Sequence, residues 1–105
     1  MRYTGPKWKI NRRENATVLG HGENWKRRPT LPGQFPILKK RPSDYALQFR
    51  EKQKVKRMYG MTEKQFTRFY KLATKSPGNT STRLLQLLEL RADNVLFKLG
   101  FALTR

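Results

Sequence analysis

The side chains able to do chemistry in this sequence are almost all cations, and their spacing suits phosphate. Arg50, Lys54 and Arg57 recur at i, i+4 and i+7, which places them on one face of a helix. Three cations within two turns can follow a phosphate backbone, and arginine can grip a phosphate oxygen pair in bidentate fashion. The plainer alternative is a solvated charged face. Only Glu51 opposes the local charge, which favours an anionic partner. Lys52 and Lys56 fall on the apolar side, where they can snorkel over aromatic rings or reach a second strand. Nearer the start, Arg2, Lys7, Lys9, Arg12 and Arg13 surround Tyr3 and Trp8. Rings can stack on splayed bases while the cations meet phosphates; the alternative is a basic tail with incidental aromatics. Lys26-Arg27-Arg28 and Lys39-Lys40-Arg41 are each flanked by proline, which stiffens them into extended presentations. Charge alone does not separate phosphate binding there from a localisation-like basic run.

Other chemistry lacks material. With no cysteine there is no disulfide framework, thiol nucleophile or thiolate zinc site. His21, between Gly20 and Gly22, has no partner at metal-ligand spacing and reads as a surface-loop histidine. Glu51 and Glu63 have no carboxylate mate or nucleophile nearby in sequence. No catalytic residue, metal or cofactor is expected, and the chain does not read as an enzyme. The balance of 24 basic against 7 acidic residues, a net +17 over 105 residues, is costly self-repulsion unless a polyanion offsets it. No apolar run approaches a membrane span, and the opening MRYTGPKWK lacks the apolar stretch of a signal peptide.

The elements that must position these cations divide the chain unevenly. Residues 1–58 carry 16 basic and 4 acidic side chains, and residues 59–105 carry 8 and 3. From Met1 to Pro42, five prolines and four glycines interrupt every apolar period, so residues 1–42 read as an irregular basic arm, ordered by its partner. Ser43 then caps a helix running to Gly60. Thr62 and Gln65 form a capping box, with Met61 and Phe66 at staple positions, and S-P-G-N at 76–79 ends the second helix. A third helix starts near Thr80 and carries Leu84, Leu85, Leu87 and Leu88. A break near Arg91–Asp93 lets Asp93 cap a short fourth helix to Gly100. The expected fold is mainly α, a small helical domain (residues 43–90) preceded by a long irregular basic N-terminal arm. Its core draws on Tyr45, Phe49, Tyr59, Phe66, Phe69, Tyr70 and the leucines of the third helix.

Several strings occur in order: RYTGPKWK with Arg12-Arg13, PGQ at 32–34, SDYALQFREKQKVKRMYGMTEKQF, and LLQLLELRADNVLFKLGFALTR. Together they resemble small-subunit ribosomal protein four of the bacterial and organellar type, across nearly the whole chain and least from Glu14 to Leu31. The resemblance implies a structural component of the small ribosomal subunit that takes part in subunit assembly. It implies binding to small-subunit ribosomal RNA at a multi-helix junction near the 5′ end, through Arg2, Lys7, Lys9, Arg12, Arg50, Lys54 and Arg57. Tyr3, Trp8, Arg13 and Arg105 complete the expected RNA-binding set. It further implies that Lys39, Lys40 and Arg41 border the mRNA entrance, and that small-subunit ribosomal protein five is a neighbour at an interface linked to decoding accuracy. The expected location is the small ribosomal subunit of a bacterial cytoplasm or an organelle matrix, without membrane attachment or homo-oligomerisation.

Two departures from the family stand out. Some members carry a cysteine zinc cluster in the arm, and Lys9 to Leu31 has none, so zinc is not expected. Residues 91–105 resemble only the opening helix of a truncated RNA-binding domain, with ALTR for the usual ASTR and Ala92 for the usual leucine. A free RNA-binding translational regulator and a fragment of an RNA-modifying enzyme are the competing functions. The latter needs an aspartate-bearing catalytic domain for which no room remains.

Overall fold

The computed structural model describes residues 3–20, 22–33 and 41–103. Among them are five α-helices and one 3-10 turn, with no strand: α1 (Lys7–Glu14), the 3-10 turn (Asn24–Arg27), α2 (Asp44–Met58), α3 (Glu63–Lys75), α4 (Thr80–Glu89) and α5 (Ala92–Lys98). They form two compact units, Thr4–Met58 and one built on Tyr59–Arg105. The mainly α fold stands, while α2 groups with the residues before it and not with α3 and α4.

The first unit corrects the expectation of a wholly irregular arm. Lys7–Glu14 is helical because Pro6 supplies an extended start with φ −68° and ψ 113°, and Asn15 supplies a left-handed stop at φ 50° and ψ 40°. The helix buries Asn11 and Glu14, both polar, so no apolar period announces it. Asn11 repays its burial with three hydrogen bonds. Its Oδ1 accepts from the Val18 and Leu19 amides at 3.0 and 2.9 Å, and its Nδ2 donates to the Leu19 carbonyl at 2.9 Å. The following loop is thereby pinned to α1. The Trp25 indole adds a bond to Thr17 Oγ1 at 2.9 Å from the 3-10 turn, which packs against α1 together with α2.

The second unit follows its local signals closely. Thr62 and Gln65 close the capping box, with the Gln65 amide donating to Thr62 Oγ1 and the Thr62 amide to Gln65 Oε1. Met61 and Phe66, the staple pair, are both buried. Asn79 caps α4 through the Ser81 amide, and Gly100 takes positive φ just past the end of α5; in the first unit Ser43 likewise caps α2 through the Ala46 amide, and Gly60, just past the end of α2, takes positive φ. The N-cap of α5 is Arg91 and not Asp93. Asp93 lies in the first turn and holds the Arg91 guanidinium through both carboxylate oxygens at 3.0 and 2.7 Å. That guanidinium pulls the Asp93 carboxyl below its ordinary value.

The core is smaller than the aromatic count suggests. Tyr59, Met61, Phe66, Ala73 and Leu88 are buried, but Tyr45 is 75% exposed and Tyr70 50% exposed, while Phe49 and Phe69 are half-buried. Polar groups supply part of what hydrophobes do not. The Glu89 carboxylate accepts from Lys98 Nζ at 2.5 Å, from the Tyr59 hydroxyl and from Asn94 Nδ2 at 2.8 Å, tying the α4 terminus to α5 and to the start of the unit. Lys98 first, then Tyr59, pulls the Glu89 pKa from 4.5 to about 2. A carboxylate held lower when folded stabilises fully above its unfolded value, and that contribution fades as pH falls from about 4.5 through about 2. Glu89→Gln should therefore be less stable than wild type at neutral pH, and the difference should shrink from about pH 4.5 downward and vanish only below about pH 2. Urea melts at a series of pH values measure it, and a gap that persists in acid would assign Glu89 a role other than its charge.

Candidate nucleic-acid interface

The expected RNA-binding residues separate in three dimensions into those turned inward and those turned outward. Arg50 and Arg57 turn inward. Both guanidiniums donate to Oε1 of Glu14, Arg50 at 3.2 Å, and the Glu14 side chain is fully buried. Gln53, about 60° from Arg50 round the helix, is the buried residue of α2. The face of α2 expected to meet phosphate is thus the one whose arginines hold α1, and that pairing has a plain cause. A carboxylate out of water needs cations, and two arginines about two turns apart on one face satisfy it. Lys54 instead pairs with Glu51 at 2.6 Å near the surface. Lys52 sits over the Phe49 ring at 5.3 Å, the expected snorkelling.

Arg12 is likewise spent within the unit. Its Nε donates to the Thr30 carbonyl at 3.0 Å, and its Nη2 to Thr30 Oγ1 at 3.1 Å and to the Leu31 carbonyl at 3.3 Å. It fastens the far end of the loop that Asn11 fastens at its near end. Its neighbours on α1 point elsewhere. Lys9 and Arg13, one turn apart, lie opposite Asn11 and Glu14 on the helix, and both are exposed; Trp8 stands beside them at 61% exposure, with Lys7 also exposed. Arg27 and Arg28 are exposed, whereas Lys26 pairs with Glu23 at 2.5 Å and lies over the Trp25 ring at 5.9 Å. Tyr3 and Arg41 are exposed. Arg2, His21, Lys39, Lys40 and Arg105 lie outside the described residues.

One cationic set lies outside the residues expected to bind RNA. Lys64, Arg68, Lys71 and Lys75 recur along α3 at i, i+4, i+7 and i+11, and all four are exposed. The spacing was legible, but Phe66, Phe69, Tyr70 and Ala73 draw attention to the opposite side of the helix. For metals and cofactors the described residues offer little: among them no three His, Asp or Glu side chains gather where an ion could sit. No helix among them is long and apolar enough to cross a membrane.

A family model for the ribosomal protein S4/S9 N-terminal domain matches residues 2–89. Small ribosomal subunit protein uS4 of Buchnera aphidicola subsp. Acyrthosiphon pisum (strain Tuc7) is 50% identical over 109 residues, covering 99% of this chain and 53% of that protein. The corresponding protein of Bacillus thuringiensis (strain Al Hakam) is 46% identical over 105 residues, covering 99% and 52%. The chain therefore spans about half the length of the curated relatives it matches.

Proposed function

The chain belongs to the ribosomal protein S4/S9 N-terminal domain family, and from that premise we propose that it is a structural, non-catalytic constituent of the small ribosomal subunit that binds small-subunit ribosomal RNA. The observation that carries this is the family match over residues 2–89, joined to a net charge of +17. The exposed Lys7, Trp8, Lys9 and Arg13 of α1, with Arg27 and Arg28, form the RNA-facing set in this reading. Arg12, Arg50 and Arg57 act behind it, holding the scaffold that presents those cations. The finer expectations belong to the same proposal: the junction near the 5′ end of the RNA, a part in subunit assembly, the neighbouring ribosomal protein five, and an mRNA entrance bordered by residues 39–41. The family resemblance supports them.

Salt dependence tests the proposal. Each phosphate neutralised contributes a log–log slope of about −0.9 on duplex and about −0.7 on single strands. Five or more contacts therefore give a slope of about −4 or steeper for a small-subunit rRNA fragment. The measurement is affinity across a salt series, and a flat response would sink the rRNA reading.

A further inference from the structure

Resting on the rRNA-binding reading above, we propose that the outer face of α3 is a second phosphate-binding surface, which takes the sugar-phosphate backbone of double-stranded RNA without reading its bases. Lys64, Arg68, Lys71 and Lys75 fall within an arc of about 60° and extend about 16 Å along the helix. The buried Phe66 and Ala73 lie on the opposite side, so packing fixes this face outward. All four cations are exposed, and none forms an ion pair among the described residues.

The contrast with α2 decides what that means. There, Arg50 and Arg57 share Glu14 and Lys54 takes Glu51, so every cation of the same i, i+4, i+7 pattern is paired within the protein. On α3 three successive like-charged pairs stand uncompensated, each opposing the helix. Glu63, at the first turn, is the one carboxylate among the described residues that line the adjoining hollow. A polyanion laid along the stripe removes that repulsion. A shallow hollow of about 470 Å³ runs beside it, bordered by the four cations with Thr67 and Leu72.

The chemistry of the face also selects the form of nucleic acid. Single strands are held by rings on which bases stack, and the arc contains no ring; Tyr70, half exposed, lies more than about 120° round the helix from its centre. An A-form RNA duplex keeps its base edges in a deep, narrow major groove that side chains cannot read. Backbone contact to a duplex is what four cations alone provide, and it is indifferent to sequence.

The test uses the whole 105-residue chain with Lys64→Ala, Arg68→Ala, Lys71→Ala and Lys75→Ala combined, because alanine preserves helix propensity. Two probes are titrated with salt: a 5′ small-subunit rRNA fragment and a random-sequence RNA duplex. The variant should keep native circular dichroism, and its log–log slope should be shallower by about 3 on both probes. Conserving charge with Lys64→Arg, Lys71→Arg and Lys75→Arg in an otherwise wild-type chain should leave the slope intact. A steep slope that is the same in wild type and the alanine variant overturns the α3 surface and leaves the rRNA reading standing. A flat slope in wild type overturns both. A variant that keeps its RNA slope but loses binding to poly-glutamate assigns the stripe to an acidic protein and overturns the proposal. If the alanine variant unfolds, Lys71→Glu alone, at the middle of the stripe, should still reduce the slope by at least about 1, and no change would overturn it.

Discussion

Arg50→Glu combined with Arg57→Glu is expected to detach α1 from α2 before any effect on RNA can be read. Glu14 is buried, and both guanidiniums converge on its Oε1. Its Oε2 has no hydrogen-bond partner among the described atoms, so the arginines are its principal compensation. Removing the partners of a buried charge costs about 3–5 kcal/mol, and placing two further carboxylates beside it costs more. Small domains have only about 5–15 kcal/mol in total. Both tryptophans, Trp8 and Trp25, lie in the Thr4–Met58 unit and none lies in the other, so tryptophan emission reports this unit selectively. Emission should shift at much lower urea in the variant, while helical ellipticity from α3 to α5 survives longer. Lys52→Glu with Lys56→Glu makes the same charge change and should shift the emission midpoint far less. Native emission with lost RNA affinity would return Arg50 and Arg57 to the RNA surface.

Asn11→Ala should rank close behind, although it changes no charge. The substitution removes three hydrogen bonds at once and strands the Val18 and Leu19 amides and the Leu19 carbonyl, with Val18 buried. Stranded groups cost about 1–3 kcal/mol each where water cannot reach them. Since Leu19 is only half-buried, a total of about 2–4 kcal/mol is expected. Amide hydrogen exchange at Val18 and Leu19 measures it directly, and protection there should fall by the corresponding factor. RNA affinity should weaken at an unchanged salt slope, because Lys7, Lys9 and Arg13 remain while the loop beneath them loosens. Unaltered protection would mean that Arg12, through Thr30 and Leu31, holds the loop without help.

Much of the helical unit was legible because its signals are local. The Thr62–Gln65 capping box spans three residues, Ser43 caps α2 through an amide three residues on, and Gly60 stops a helix where φ is positive. Such features work within one turn of chain, so they survive whatever the rest of the molecule does. The ordered strings carrying the family resemblance were equally readable. The short helix α1 was not, because its buried side chains are an asparagine and a glutamate, and apolar periodicity is blind to both. The large aromatics misled in the opposite direction. Tyr45 and Tyr70 sit at the right helical positions for a core, yet so few residues enclose too little volume to cover them.

By itself, then, the sequence determined that this protein is a helical polycation of the S4 family, since composition, capping and ordered motifs are properties of the chain alone. Only the tertiary structure decided which cations are paired within the protein. Arg50, Lys54 and Arg57 on α2 and Lys64, Arg68 and Lys71 on α3 have the same spacing, and nothing local distinguishes them. The difference is Glu14, 36 residues from Arg50 and 43 from Arg57, whose burial draws both guanidiniums inward. Among the described residues no carboxylate forms an ion pair with the α3 stripe. Electrostatic pairing is set by distance in space, and chain separations of that length carry no trace of it.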